Sequence, residues 1–203
     1  MATDIQYYFA QQSPWTYLGH LRFWDIARQH KARIEVLPVD LGGKVFPISG
    51  GLPLGKRAPQ RQAYRLVELQ RFAEYLHAPM NLQPKYFPVA ADDAARLIVA
   101  VDLHDGSDAA MHIADAVQRA VWVEERNVAD EATLAALLKE RELPARRIED
   151  AHSQAVQERF EANTQRAIDA GVFGAPSYVI GGEIFWGQDR LDFVERRLAA
   201  LGG

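Results

Sequence analysis

Cysteine is absent from the 203 residues, which excludes disulfides, thiolate metal sites and any thiol redox cycle carried by the protein itself. Basic charge is scarce as well. Lys and Arg number 23 against 27 Asp and Glu, for a net charge of -4 and an isoelectric point near 5.9. That balance offers no cationic field to a polyanion, so nucleic acid is not an expected partner. No apolar run approaches bilayer-spanning length, and the opening Met-Ala-Thr-Asp-Ile has neither a basic start nor an apolar signal core. A cytoplasmic protein without membrane contact is expected. The six histidines, at 20, 30, 77, 104, 112 and 152, show none of the close pairings of metal-binding helices, so no metal is expected. Repeats and low-complexity tracts are missing too.

What is present is an ordinary globular composition, 48% hydrophobic and 25% charged. The length suits one large domain, or a core domain that carries a sizeable insertion. The chain is organised around Ile5 to Leu18. Aromatic and β-branched residues give way through Gln11-Gln12 to Ser13-Pro14, and then to Leu18, Leu21 and Phe23 to Ile26 at helical spacing. This reads as strand, short loop and helix. Ser13 stands at the N-cap and Pro14 at the first helical position, where the hydroxyl can meet the free backbone donors of the first turn. Such a start is more often a structural cap than an active site. The same geometry would nevertheless hold an anion against the positive end of the helix.

The first helix is expected from Pro14 to about Gln29, followed by a strand over Arg33 to Val39, which makes a βαβ unit. From Leu41 to Pro59 glycine and proline accumulate, and a long irregular loop is expected. Lys44, Val45 and Phe46 give it a charge and apolar anchors, as befits the wall of a binding cleft. Four helical patterns follow, marked by Leu66 to Leu76, Ala95 to Val101, Ile113 to Val121 and Leu134 to Leu138. A further helix from about Ile148 to Ala170 should stop at Gly171. Ser177 to Ile180 and Glu183 to Trp186 then read as strands joined by Gly181-Gly182, a strong hairpin signal. The last helix carries Leu191, Phe193, Val194 and Leu198. The order βαβ, helical block, α-β-β-α is that of a small α/β sheet domain interrupted by helices.

Three stretches draw attention together: Ser13-Pro14-Trp15-Thr16-Tyr17, Gly171 to Pro176, and Phe185-Trp186-Gly187-Gln188-Asp189-Arg190-Leu191-Asp192. On these the chain resembles the 2-hydroxychromene-2-carboxylate isomerases, relatives of the kappa-class glutathione transferases and of the bacterial disulfide oxidoreductases. The resemblance covers nearly the whole chain. It implies a thioredoxin-like α/β fold with a large all-helical insertion, residues 1–45 and 158–203 forming the thioredoxin-like part and 46–157 the loop and helical insertion. Where the oxidoreductases open their first helix with Cys-x-x-Cys, this chain has Ser13-Pro14-Trp15-Thr16.

The resemblance implies that Ser13 hydrogen-bonds the sulfur of glutathione. It also implies a cis bond before Pro176, with the backbone of Ala175 pairing with the cysteinyl backbone of glutathione; read without the family, Ala175-Pro176 opens an edge strand equally well in trans. Asp189 is expected to meet the γ-glutamyl ammonium, Gln188 the neighbouring carboxylate, and Arg61 a further carboxylate that a lysine holds in the family. As a bare pattern, Lys56, Arg57, Arg61 and Arg65 read as a solvated helix face. Trp15, Tyr17, Phe46 and Tyr86 are candidates for an aromatic-lined substrate pocket, against a default role in the core.

The chain departs from the family at the substrate side. Pro47, Gly51 and Ala90 stand where the family has a lysine and two asparagines, and Lys44 lies near enough in sequence to replace the lost charge. The expected activity is a glutathione-dependent isomerisation of a small aromatic substrate in aromatic catabolism, by thiolate addition, bond rotation and elimination. Two alternatives stay open: a kappa-like transferase that releases a conjugate, and a non-catalytic thioredoxin-like binding module. A homodimer is implied by the resemblance alone.

Overall fold

The computed structural model of the chain describes residues 2–202. Strands β1 (Asp4–Phe9) and β2 (Arg33–Pro38) run parallel and are joined by α1 (Pro14–Gln29). The chain then makes a short α2 (Phe46–Ser49) and passes through α3 (Pro59–Tyr75), α4 (Asp92–Asp105), α5 (Ser107–Trp122), α6 (Glu131–Glu140), α7 (Arg147–Ala151) and α8 (Gln154–Asp169). It returns as β3 (Ser177–Ile180) and β4 (Glu183–Trp186) and closes with α9 (Leu191–Gly202). Both late strands are antiparallel to their neighbours, in the order β2-β1-β3-β4.

Alternation along β1 sends Ile5, Tyr7 and Phe9 to one face and Tyr8 to the other, and both faces are covered. On the first face Tyr7 stacks on Phe9 at 4.6 Å and on Tyr178 at 5.5 Å between ring centroids, and Phe23 of α1 packs on Tyr178 at 4.5 Å. The same hydrophobic cluster continues without interruption through Ile98, Met111 and Trp122 of the helical segment. Each such buried side chain contributes about 1.5–3 kcal/mol by removal from water. On the second face Tyr8, Leu37, Val39 and Val179 meet Ala167 of α8 and Val172.

The first helix, the four middle helices and the hairpin form where the sequence places them. Gly171 stops α8 with φ 77°, and the hairpin turns through Gly181 and Gly182 at φ 59° and 85°. Both turns need the left-handed backbone that glycine adopts without steric penalty.

Two expectations are corrected. The stretch after β2 is not irregular: Leu41–Val45 forms a π-helical turn, Phe46–Ser49 a turn of α-helix and Leu54–Lys56 a turn of 3-10 helix. The Asp40 carboxylate starts the first of these by accepting from Gly43 N at 2.7 Å. The expected helix over 148–170 is two helices. Ser153, with ψ 151°, leaves helical conformation and caps α8 through a bond from Val156 N. Arg147 fixes α7 separately, reaching both Asp105 oxygens at 2.6 and 2.7 Å and Asp150 at 2.6 Å from a nearly buried position.

Candidate functional site

Ser13 adopts extended backbone (φ -74°, ψ 128°), and its N–H closes a tight turn on Ala10 O at 2.9 Å. Its Oγ accepts from Thr16 N at 3.4 Å, a long bond that leaves the hydroxyl hydrogen free to point elsewhere. The side chain is therefore both a helix cap and a donor at the positive end of α1.

The register then brings the bend before β3 alongside. Tyr8 pairs with Ser177, so the antiparallel continuation of β1 toward Ala10 runs beside Pro176 and Ala175. The Ala175–Pro176 bond is cis, as the resemblance implies. Pro176 O accepts from Gly187 N at 2.9 Å, and Ser177 Oγ donates to Gly174 O at 2.8 Å, which ties the bend to the loop after β4. Gly174 allows this closeness: a Cβ there would lie 2.3 Å from Trp186 Nε1. Ser49 Oγ donates to Phe173 O at 3.4 Å, and this brings α2, with the half-buried Phe46 at its start, to the same end of the sheet. Ser13, Ala175, Pro176, Asp189 and the Phe46 turn thus follow or precede strands at one end of the sheet.

The remaining candidates are distributed otherwise. Asp189 is exposed and bound to its neighbour Arg190 at 2.6 Å, a pair that solvent keeps weak. Gln188 is turned inward: it is 1% exposed, its Oε1 accepts from Arg22 Nη1 at 2.9 Å, and its Nε2 is buried without a partner. Lys44 lines a groove with Glu158, Glu161 and Gln165 of α8. Arg61 is exposed on the first turn of α3, close enough to Arg57 to depress its pKa, second to desolvation. Trp15 sets its ring edge-on to Phe72 at 6.0 Å, and Tyr17 OH donates to Pro79 O, so both fasten α1 to the helical segment. Tyr86 is half-buried beneath Lys85, whose Nζ lies 5.1 Å from the ring.

Sequence reading missed four residues. Gly19 and Arg22 seat Gln188; a Cβ on Gly19 would meet Gln188 Cβ at 2.8 Å and Tyr178 Oη at 3.0 Å. Arg65 is nearly buried over Phe87 and Trp122, where desolvation and Arg57 push its pKa down to about 10. His20, one turn beyond Thr16, is fully buried on the site's inner side and pushed down to about 4 by desolvation. Nothing local in the sequence separates these from ordinary helix positions. Among the described residues no group of three or more His, Asp or Glu could hold a metal ion, and no helix is long and apolar enough to cross a membrane.

Comparison with known proteins agrees with this geometry. Residues 4–199 match the family model described as DSBA-like thioredoxin domain. The chain is 28% identical over 199 residues to a 2-hydroxychromene-2-carboxylate isomerase of Sphingobium xenophagum, which covers 98% of this chain and 99% of that one. A Pseudomonas putida protein of the same name is 28% identical over 201 residues, covering 97% and 95%. A solved structure of 2-hydroxychromene-2-carboxylate isomerase superposes with a TM-score of 0.82 at 26% identity, covering 98% of this chain and 95% of the other.

Proposed function

The chain belongs to the family of DSBA-like thioredoxin domains, and from that premise we propose that it is a glutathione-dependent isomerase acting on substrates of the 2-hydroxychromene-2-carboxylate type. The names of its full-length relatives support the reaction. Support for glutathione rests on one observation: a serine hydroxyl at the positive end of a helix and a cis-proline bend lie at the same end of the sheet in a chain that has no thiol of its own. The thiol must then come from outside.

The residues present fit such a guest. Ser13 offers a donor for sulfur, Ala175 stands one residue beyond Pro176, just outside the β1–β3 ladder, and can pair as an added strand, and Asp189 and Arg61 offer opposite charges for an ammonium and a carboxylate. Gln188 reaches nothing outside unless Arg22 releases it, so its part is to hold the Asp189 loop against α1. When bound, glutathione supplies a nucleophilic thiolate, whose reversible addition turns a double bond into a rotatable single one.

What the chain contributes is the ionisation of that thiol. A free thiol titrates near 8.5, and lowering this by about two units requires roughly 2.7 kcal/mol. A charge-assisted hydrogen bond from Ser13 is worth about 1.5–3 kcal/mol and a helix terminus about 0.3–1 kcal/mol. Together they suffice without a general base. Calorimetric titration of glutathione into the wild-type protein and Ser13→Ala, in two buffers of different ionisation enthalpy, tests this. Saturable binding with proton release that Ser13→Ala abolishes supports the reading; no binding to either protein ends it.

A further inference from the structure

Most buried or half-buried arginines of this protein have a carboxylate: Arg147 has Asp105 and Asp150, Arg141 has Asp115, Arg126 has Glu140 and Arg166 has Glu35. Arg65 does not. It is 8% exposed, its Nη2 is buried without a hydrogen-bond acceptor, and the neighbouring charge that acts on it, Arg57, is a like one. Burial of an unpaired cation is among the more expensive arrangements a fold can hold.

The surroundings stabilise only part of the group. Phe87 and Trp122 lie under the guanidinium, 5.2 and 5.8 Å from its central carbon to their ring centroids. Aromatic contacts of this kind engage the face of the cation. Its in-plane N–H edge, the part that matches a carboxylate fork, is left unused. Arg57, anchored through Nε to Leu52 O at 2.8 Å, adds a second positive charge from the turn before α3.

Arg65 also shares a face of α3 with a residue that packs near Ser13. Residues 65, 69 and 72 share one face of α3; Leu69 is fully buried and Phe72 touches Trp15, two residues from Ser13. Arg65 stands about 10 Å further along that face. We propose that Arg65 is the anchor for a carboxylate of the organic substrate, held edge-on while Phe87 and Trp122 fix the guanidinium plane. This rests on the isomerase reading for the identity of the acid. It assigns to α3 the anionic end of the substrate and leaves the glutathione carboxylates to Arg61.

The probes are chromone-2-carboxylate, a planar acid that does not isomerise, and its methyl ester, titrated by calorimetry into wild type, Arg65→Met and Arg65→Lys. The quantity read is the affinity ratio of acid to ester, which partial misfolding of a variant does not alter. The wild type is expected to prefer the acid roughly ten- to a hundredfold. Arg65→Met should erase the preference, Arg65→Lys should keep part of it, and glutathione affinity should be the same in all three. Equal binding of acid and ester by the wild type, no binding of the acid, or a ratio unchanged in Arg65→Met overturns the proposal. So does a parallel loss of glutathione affinity, which would give Arg65 to the tripeptide instead. An acid preference in a protein that binds no glutathione would sink the isomerase reading and leave the anchor standing; isomerase turnover indifferent to Arg65→Met would do the reverse.

Discussion

Tyr7 donates its phenolic hydrogen to Nδ1 of His20 across 3.0 Å, in the middle of the core. The direction follows from the other ring nitrogen: Nε2 lies 3.0 Å from Met111 O, which can only accept, so it carries the proton and Nδ1 is the acceptor. A neutral imidazole satisfies both partners, whereas an imidazolium would make the Tyr7 hydroxyl turn round to accept, leaving its hydrogen to find another partner in the core.

That arrangement gives stability a pH dependence. Burial, followed by the charge of His112, moves His20 from 6.5 to about 4, with only the Met111 bond opposing. Between these values the unfolded chain binds a proton that the folded chain refuses. The contribution is complete above about pH 6.5 and falls as pH drops toward 4, by about 3 kcal/mol in all. Urea unfolding at a series of pH values should show this slope, and His20→Gln should flatten it.

Ser13→Ala should separate two roles. Loss of a cap whose bond is 3.4 Å long is expected to cost about 0.5–1 kcal/mol of stability. Loss of the donor should return the pKa of bound glutathione toward its free value near 8.5. Ultraviolet absorbance of the thiolate, followed through a pH titration, reads the second effect independently of unfolding.

Gly19→Ala should destabilise although alanine favours helices by about 1 kcal/mol. The new methyl would meet Gln188 Cβ at 2.8 Å and Tyr178 Oη at 3.0 Å, and neither has room to retreat. Overpacking of this kind costs about 1–3 kcal/mol. Thermal denaturation should register the loss, and glutathione affinity should fall with it because the Asp189 loop is displaced.

Asp189→Asn should weaken glutathione about tenfold while leaving its des-amino analogue almost unaffected, as expected of a lost ammonium partner worth about one charge-assisted hydrogen bond. Equal losses for both ligands would show that the variant acts through the loop.

How much of this was legible beforehand follows the range of the forces involved. The start of α1, the stop at Gly171 and the Gly181-Gly182 hairpin are decided by two or three adjacent residues, and each formed where expected. The break between α7 and α8 was hidden because Ser153 sits inside a continuous helical pattern, and the Arg147 fork that ties α7 to Asp105 of α4 comes from far along the chain. The turns over 41–56 were hidden by their glycines, and the first of them depends on the Asp40 carboxylate, which accepts from Gly43 N. The inward turn of Gln188 depends on Gly19 and Arg22, which lie at the opposite end of the chain. Lys44, expected from its place in the sequence to replace a missing charge, lines a groove with residues of α8 that lie far along the chain.

The order β2-β1-β3-β4 sets a timetable as well as a shape. Ser13 is mounted on the end of β1, an interior strand with both faces covered, whereas Asp189 follows β4, an edge strand with exposed ends. Amides of β1 should therefore exchange with solvent only on global unfolding, and those around 183–189 through local opening. On the proposed glutathione reading, the half of the site assigned to sulfur would keep still while the half assigned to the amino group opened locally, and ligand entry and departure would be timed by the loop that follows β4.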